Sequence, residues 1–198
     1  MIRRPLLPAA ALCATLALAA CNNSPEAGRP DTTPTSTTAT PTASPTPKYT
    51  AEEEAAITAA KSRYVAARGA IDIALSAPEK SKRADLENAG NGGNWLIGVV
   101  DDVEFQRKNG WYQAGKVQVT FAGVTSVTLL GQQPRVTLKV CVDASKTSTL
   151  FQKTKKPVPM GPSDGNRHLT ESVLVYAPPT GKTTKMWFLI DEKATGSC

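Results

Sequence analysis

The chain from residue 50 onward opens with a long amphipathic pattern. Thr50 and Glu53 have the spacing of a capping box, in which each side chain accepts a hydrogen bond from the other residue's backbone N–H. Acidic residues in the first turn, Glu52–Glu54, complement the helix dipole. Apolar residues then recur at steps of three and four, which predicts one amphipathic helix of about 25 residues. These residues are Ile57, Ala60, Tyr64, Ala67, Ile71 and Leu75.

Two shorter helices are predicted next. Pro78 breaks the first helix and is well placed to open the second, because proline fits the first helical turn. The second helix runs to about Asn88, where a glycine-rich stretch, 90–93, ends it. A third, weaker helix covers Trp95 to Lys108. Its apolar side consists of Leu96, Val99, Val100 and Val103.

The pattern then changes to alternation of apolar and polar positions, which is typical of strands with one buried face. Residues 136–142 alternate most clearly. Because helices come first and hairpin-linked strands follow, the predicted fold class is α+β, with N-terminal helices packed on an antiparallel sheet. The other predicted strands are 117–121, continuing through 124–130, then 169–177 and 186–191, with turns at 131–134 and 178–182.

Residues 1–20 have the organisation of a secretory signal peptide. Arg3 and Arg4 supply positive charge, and a Leu- and Ala-rich segment, 5–17, follows. The next four residues, 18–21, read Leu-Ala-Ala-Cys and resemble the lipobox of bacterial lipoproteins. The resemblance implies that a diacylglyceryl group is attached to the Cys21 sulfur and that cleavage makes Cys21 the first residue. The protein is then expected on the outer face of the cell membrane. The alternative is an ordinary signal peptide followed by an unmodified cysteine.

Residues 21–48 are predicted to form a disordered tether. The segment 22–47 contains six Pro, eight Thr and three Ser in 26 residues, and it has no aromatic or large aliphatic side chain. Such a composition cannot offset the entropy cost of ordering. The segment is interpreted as a bare spacer, with O-glycosylation of its Ser and Thr residues as the alternative. The folded domain is therefore assigned to 49–198.

The four cysteines have separate predicted roles. Cys13 leaves with the signal peptide and Cys21 carries lipid, so Cys141 and Cys198 remain. In an oxidising compartment these two are expected to form a disulfide, closing a loop of about 58 residues worth on the order of 4 kcal/mol. The alternative is a nucleophilic Cys141 activated by His168. Apolar neighbours at 140 and 142 favour the structural role, because reactive thiols need an electropositive setting.

Few residues of the chain suggest catalytic chemistry. His168 is the single histidine, so the common zinc clusters are not expected. Ser163, Asp164 and His168 contain the residue types of a hydrolytic triad but lack a nucleophile-elbow pattern. An acidic cluster on the third helix is interpreted as a solvated face rather than a cation or acid–base site. Its members are Asp101, Asp102 and Glu104. The chain is predicted to be non-enzymatic and to use no cofactor or metal.

The net charge of +6 falls to +4 when Arg3 and Arg4 are removed with the signal peptide. This charge is too small and too dispersed to predict nucleic-acid binding. The positive charge suggests a binding site only in the irregular segment 152–167, because long irregular loops often carry function. A contact with anionic wall polymers or lipid head groups is predicted there, with a solvated hairpin extension as the alternative. The basic residues concerned are Lys153, Lys155, Lys156 and Arg167.

Two resemblances extend these predictions to the whole domain. The order of three helices and an antiparallel sheet resembles the nuclear-transport-factor-two-like fold, which implies a curved, cone-like sheet with a pocket facing the helices. The residues 140–145, 186–188 and Cys198 resemble small actinobacterial lipoproteins of unknown function. The expected function is a membrane-anchored lipoprotein presenting a binding or scaffolding domain, with an envelope protein or anionic wall polymer as partner. The alternative is a small-molecule carrier or enzyme that uses the cone pocket.

Overall fold

The computed structural model describes residues 48–160 and 166–198, which belong to one compact unit. The predicted signal peptide, Cys21 and nearly all of the predicted tether lie outside the described residues. The helices are α1 (Ala51–Ser76), α2 (Arg83–Asn88) and α3 (Gly93–Asn109), with a 3₁₀ turn at Pro78–Lys80. The strands are β1 (Trp111–Ala114), β2 (Gln118–Thr128), β3 (Arg135–Asp143), β4 (Ser148–Phe151), β5 (Arg167–Ala177) and β6 (Met186–Ser197). The predicted α+β fold class is confirmed.

The predicted capping box is present at the start of α1. The Thr50 backbone N–H donates to Glu53 Oε2 at 2.8 Å, and the Glu53 backbone N–H donates to Thr50 Oγ1 at 3.2 Å. The second predicted helix is divided, because Ser81 and Lys82 have extended backbone angles between the 3₁₀ turn and α2. Its predicted end at Asn88 agrees with the structure.

The strands form two sheets. Four strands make an open antiparallel sheet in the order β2-β3-β5-β6, and β1 pairs with β4 in a separate two-stranded sheet. The register along β2 shifts twice, between Phe121 and Gly123 and between Val124 and Ser126, which marks two irregularities in this edge strand. The sequence pattern predicted neither β1 nor β4, and it ended β6 six residues early.

Helix α1 packs across one face of the four-stranded sheet, here called the inner face. The layer between them is filled by side chains, and Tyr64, Leu138 and Leu174 are completely buried there. A second cluster joins α1 to α2 and α3. That cluster consists of Ile71, Ala74, Leu86, Leu96, Val99 and Val103.

Residues 90–92 pair with the free edge of β6 at Leu189. The Leu189 backbone N–H donates to Gly90 O at 2.7 Å, and the Gly92 backbone N–H donates to Leu189 O at 2.9 Å. Asn91 is completely buried, and its Nδ2 donates to the carbonyls of Ala67 and Leu86. We call residues 90–92 the edge strap.

The structure places Cys141 and Cys198 at disulfide distance, with Cα atoms 5.9 Å apart. Cys141 lies on β3 and Cys198 follows β6, so β5 runs between them. Leu169 on β5 pairs in register with Cys141 on one side and Gly196 on the other. The cysteine pair therefore joins two strands that are not neighbours in the sheet.

Candidate functional site

A groove rich in positive charge lies between the end of α3 and the segment after β4. Its volume is about 720 Å³. Four basic side chains contribute to its lining, and we call it the basic groove. They are Arg107, Lys108, Lys153 and Lys156. Asn109, Gly110, Phe151, Gln152, Thr154, Pro157 and Pro159 line the rest.

Backbone hydrogen bonds hold the segment after β4 in place. The Phe151 N–H donates to Lys156 O, and the Lys155 N–H donates to Phe151 O, both at 2.9 Å. The Gln152 N–H donates to Gly110 O at 2.8 Å and joins the segment to the end of α3. Both sides of the basic groove are therefore connected through the backbone.

Two aromatic rings of the small sheet and one of α3 pack together beside the basic groove. The Phe105 and Trp111 ring centroids are 5.5 Å apart, and those of Trp111 and Phe151 are 6.2 Å apart, both edge to face. Trp111 and Phe151 are also register partners in β1 and β4. Edge-to-face pairs add stabilisation beyond their buried area, and Phe151 connects this ring cluster to the lining of the basic groove.

Arg107 is fixed by backbone acceptors. Its Nε and Nη2 donate to Pro78 O at 3.1 and 2.8 Å. These partners are neutral carbonyls, so the guanidinium charge is not cancelled by them. Lys108, Lys153 and Lys156 are exposed. Within the described ranges, the ion pairs are Arg68–Glu192 and Arg167–Asp143, and neither involves the groove.

The four basic residues predicted from the sequence are not all brought together. Lys153 and Lys156 line the basic groove. Lys155, at φ 57°, places its Nζ over the Tyr112 ring at 4.7 Å. Arg167 lies on β5, where its Nε is 3.4 Å from Asp143 Oδ2.

Sequence reasoning did not assign Arg107 and Lys108 to this site. The available signal was their position in the last turn of α3, directly before the Asn109-Gly110 helix end, where Gly110 has φ 64°. A helix that ends at Gly110 brings its last turn beside a neighbouring loop. Which loop it meets depends on the pairing of β1 with β4, and that pairing was not predicted.

The remaining sequence candidates do not converge on a reaction centre among the described residues. His168 lies within β5, in register with Val142 and Ser197, while Ser163 and Asp164 fall outside the described residues. The acidic cluster is exposed on α3, and partial desolvation of Asp102, followed by the charge of Asp101, raises the pKa of Asp102. In residues 48–160 and 166–198, no group of three or more His, Cys, Asp or Glu side chains is arranged to hold a metal ion.

A buried polar network lies beneath α1. Glu192 Oε2 accepts hydrogen bonds from the Tyr64 hydroxyl at 2.6 Å and from Ser172 Oγ at 3.0 Å. Glu192 Oε1 accepts one from Arg68 Nη1 at 3.1 Å. Burial, followed by the Glu192 charge, raises the pKa of Tyr64. Because both carboxylate oxygens are occupied and the site is largely removed from water, the network joins α1 to the sheet rather than offering a reactive group.

Comparisons with known proteins leave the family open. No family model and no curated protein matches the sequence. Among solved structures, the crystal structure of the intermembrane space region of chloroplast protein ARC6 is similar at a TM-score of 0.40 and 11% identity. The match covers 73% of this chain and 97% of that chain. A likeness this weak carries no argument about function. Among the helices described, none is long and apolar enough to cross a membrane.

Proposed function

We propose that this chain is a lipid-anchored protein of the bacterial cell envelope. The support is the segment 18–21, Leu-Ala-Ala-Cys, which follows a charged and then an apolar segment. A diacylglyceryl group on Cys21 supplies two acyl chains, and each buried CH₂ contributes about 0.8 kcal/mol to membrane binding. Two chains are enough for stable anchoring. The Cys141–Cys198 pair supports the same compartment, because disulfides persist outside the reducing cytosol.

The domain carried by this anchor serves in binding, and its assignment to the nuclear-transport-factor-two-like fold is part of the proposal. The order of helices and antiparallel strands supports that assignment. A carrier or enzyme of the cone type needs open space between the helices and the sheet. In the described domain, α1 and the inner face are joined instead by packed side chains and the Glu192 network. This packing favours binding at the outer surface.

The basic groove is the observation that carries the proposed binding role. It combines one immobilised guanidinium, on Arg107, with three exposed lysines. Arg and Lys bind phosphate and carboxylate groups through charge-assisted hydrogen bonds. A groove of about 720 Å³ accommodates several such groups of a polymer. The proposed ligand is therefore a polyanion of the envelope, whose anionic groups belong either to a wall polymer or to lipid heads.

A sedimentation experiment tests the basic groove. The full chain is held in neutral phosphatidylcholine nanodiscs and mixed either with isolated anionic wall fragments or with phosphatidylglycerol vesicles. The Lys108→Glu, Lys153→Glu, Lys156→Glu triple variant is expected to bind about tenfold more weakly than wild type, because three exposed charge contacts become repulsive. Whichever of the two arms shows the loss identifies the source of the anionic groups.

A matched variant controls for net charge. Lys116, Lys139 and Lys193 are exposed residues outside the basic groove, and their reversal to Glu changes the total charge equally. Binding by this control variant is expected to stay within about twofold of wild type, because its altered charges lie away from the groove. Equal loss in both triple variants, or no loss in either, would contradict the assignment.

The anchor is tested independently with a pair of cysteine variants. In a lipoprotein-processing bacterium, the wild-type chain and Cys13→Ser are expected in the membrane fraction with an acylated N-terminal peptide, detected by mass spectrometry. Cys21→Ser is expected to lose the acyl mass. Retention of that mass in Cys21→Ser would show that residue 21 is not the attachment point, whatever the outcome for the groove.

A further inference from the structure

A second groove lies between the first half of α1 and one end of the four-stranded sheet. Its volume is about 730 Å³, and we call it the hairpin groove because the β2–β3 and β5–β6 hairpins turn there. One wall consists of small residues on α1. These are Ala56, Ala59, Ser62 and Ala66. The opposite wall contains Tyr176, Met186 and Trp187.

The aromatic wall is held rigidly. The Tyr176 and Trp187 ring centroids are 5.4 Å apart, and Trp187 belongs to the core with 7% of its surface exposed. Tyr176 is 36% exposed, so its ring is accessible. The Tyr176 backbone N–H donates to Pro134 O at 2.8 Å, which connects the two hairpins. The groove is therefore formed before any partner arrives, which lowers the entropy cost of binding.

Within the lining of the hairpin groove, the charged side chains have one sign. Arg63 and Lys185 line the groove itself. The two turns, 129–135 and 178–185, add Arg135 and Lys182 and contain neither Asp nor Glu. Arg63 Nη1 donates to Asn88 O at 3.3 Å, a neutral partner that leaves its charge uncancelled. A ligand with negative charge is therefore favoured.

The lining also selects against a purely anionic polymer. The groove presents apolar surface from three alanines, Met186 and two aromatic rings. Burying this surface contributes favourable free energy only when apolar groups of the ligand cover it. From Ala56 to Ala66 the helix rises about 15 Å, the length of four or five residues of extended chain. Alternate side chains of an extended peptide point to opposite sides. A peptide that alternates acidic and apolar residues therefore satisfies both features.

We infer that the hairpin groove docks an extended acidic segment of a partner protein, with acidic side chains near Arg63 and Lys185 and apolar side chains against Tyr176 and the alanines. This docking surface is separate from the basic groove and does not depend on the polyanion proposed for it. The two grooves share no lining residue.

The test uses a fluorescein-labelled hexapeptide of alternating Asp and Leu, titrated by fluorescence anisotropy against the full chain in phosphatidylcholine nanodiscs. Saturable binding is expected. The Arg63→Gln, Lys185→Gln double variant is expected to bind the peptide about tenfold more weakly, because it loses two charge-assisted hydrogen-bond contacts that contribute to the free energy of binding. The Lys139→Gln, Lys193→Gln variant loses equal charge at exposed residues that line neither groove and is expected to bind within about twofold of wild type.

A steric variant and a neutral peptide complete the test. Ala59 is exposed on α1, so Ala59→Glu preserves helix propensity while placing a bulky negative group in the groove, and it is expected to reduce binding further. The matched Asn and Leu hexapeptide is expected to bind far more weakly. The inference would be overturned if the neutral peptide bound as well as the acidic one, or if the Arg63→Gln, Lys185→Gln variant bound the acidic peptide as well as wild type. It would also be overturned if phosphatidylglycerol vesicles displaced the peptide from wild type but not from that variant.

Discussion

At the scale of single residues, Glu192 connects α1 to the sheet. Its side chain is 6% exposed and the Arg68 side chain is 15% exposed, so this ion pair is largely removed from water. The desolvation cost of a buried pair offsets much of its attraction, yet removing one partner leaves the other charge unpaired. The largest effect on stability is therefore expected when one partner is removed, because the other charge then stays buried and unpaired.

Glu192→Gln is expected to lower the free energy of unfolding by about 3 kcal/mol, because Arg68 is left buried without its carboxylate. In the double variant with Arg68→Met, the loss is expected to be smaller than the sum of the two single losses. Urea unfolding of all four chains measures the coupling. Arg167→Gln, which breaks an exposed pair with Asp143, serves as the control and is expected to change stability by no more than about 1 kcal/mol. Strict additivity at Arg68 and Glu192 would contradict the proposed coupling.

Tyr64 gives a prediction in alkaline solution. Burial and the Glu192 charge raise the pKa of Tyr64 in the folded chain, whereas the unfolded chain has an ordinary value near about 10. The unfolded state then releases this proton first, so stability is complete below about pH 10 and falls as pH rises, by up to about 1.4 kcal/mol per pH unit. Tyrosinate absorbance is expected to show one of the four tyrosines protonated until unfolding.

Two variants assign that tyrosine. Tyr64→Phe is expected to remove the late-titrating absorbance and to flatten the loss of stability at high pH, because the group with the raised pKa is gone. Tyr112→Phe removes a half-buried tyrosine elsewhere and is expected to leave the late step in place. A late step that survives Tyr64→Phe would assign it to another residue.

At the scale of elements, the edge strap depends on one backbone conformation. Gly90 has φ +106°, a region that other residues rarely adopt, and a Cβ there would collide with the Arg63 side chain. The edge strap follows α2 and runs beside β6. A short glycine-rich stretch thus determines where α3 begins relative to the sheet.

Gly90→Ala is expected to lower the free energy of unfolding by about 2 kcal/mol, because it adds backbone strain and a clash. Gly98→Ala makes the same chemical change within α3, where the added Cβ has nothing within 4 Å. That variant is expected to stabilise the protein by about 0.5–1 kcal/mol through helix propensity. Thermal unfolding followed by circular dichroism compares the two, and a shift in the same direction for both variants would contradict this account.

The sequence was informative where structure is determined locally. The Thr50–Glu53 capping box and the apolar spacing of α1 are contained in neighbouring residues, so both were predicted. β1 and β4 have four residues each, too few for alternation to be visible, and each depends on its partner for pairing. The basic groove depends on that pairing, which is why Arg107 was not connected with Lys153 from the sequence.

At the scale of the whole folded domain, the cysteine pair connects distant parts of the chain. Its two residues are separated by 57 positions. The loop between them contains β4, β5 and β6, and therefore one side of the basic groove and one wall of the hairpin groove. Both proposed binding surfaces lie partly within one covalently closed segment.

Cys141→Ser with Cys198→Ser is expected to lower the free energy of unfolding by about 4 kcal/mol, the value for a loop of this length in the chain-entropy model. Hydrogen exchange is expected to accelerate most in the last residues of β6, since a chain end that is not tied down frays. Wild type treated with a thiol reductant is the matched comparison. Unchanged stability in both samples would show that the pair contributes no constraint in solution.

The irregularities in β2 and the edge strap on β6 have a joint consequence for the sheet. An open sheet with long, flat edges can recruit strands from a second copy and grow into an aggregate. Here one edge is paired with residues 90–92 at Leu189, and the other is interrupted by two register shifts. With the anchoring proposed above, many copies would stand side by side on a membrane at high local concentration. Sheet edges that resist strand pairing would keep these neighbouring copies from aggregating, so that both grooves of each copy stay accessible.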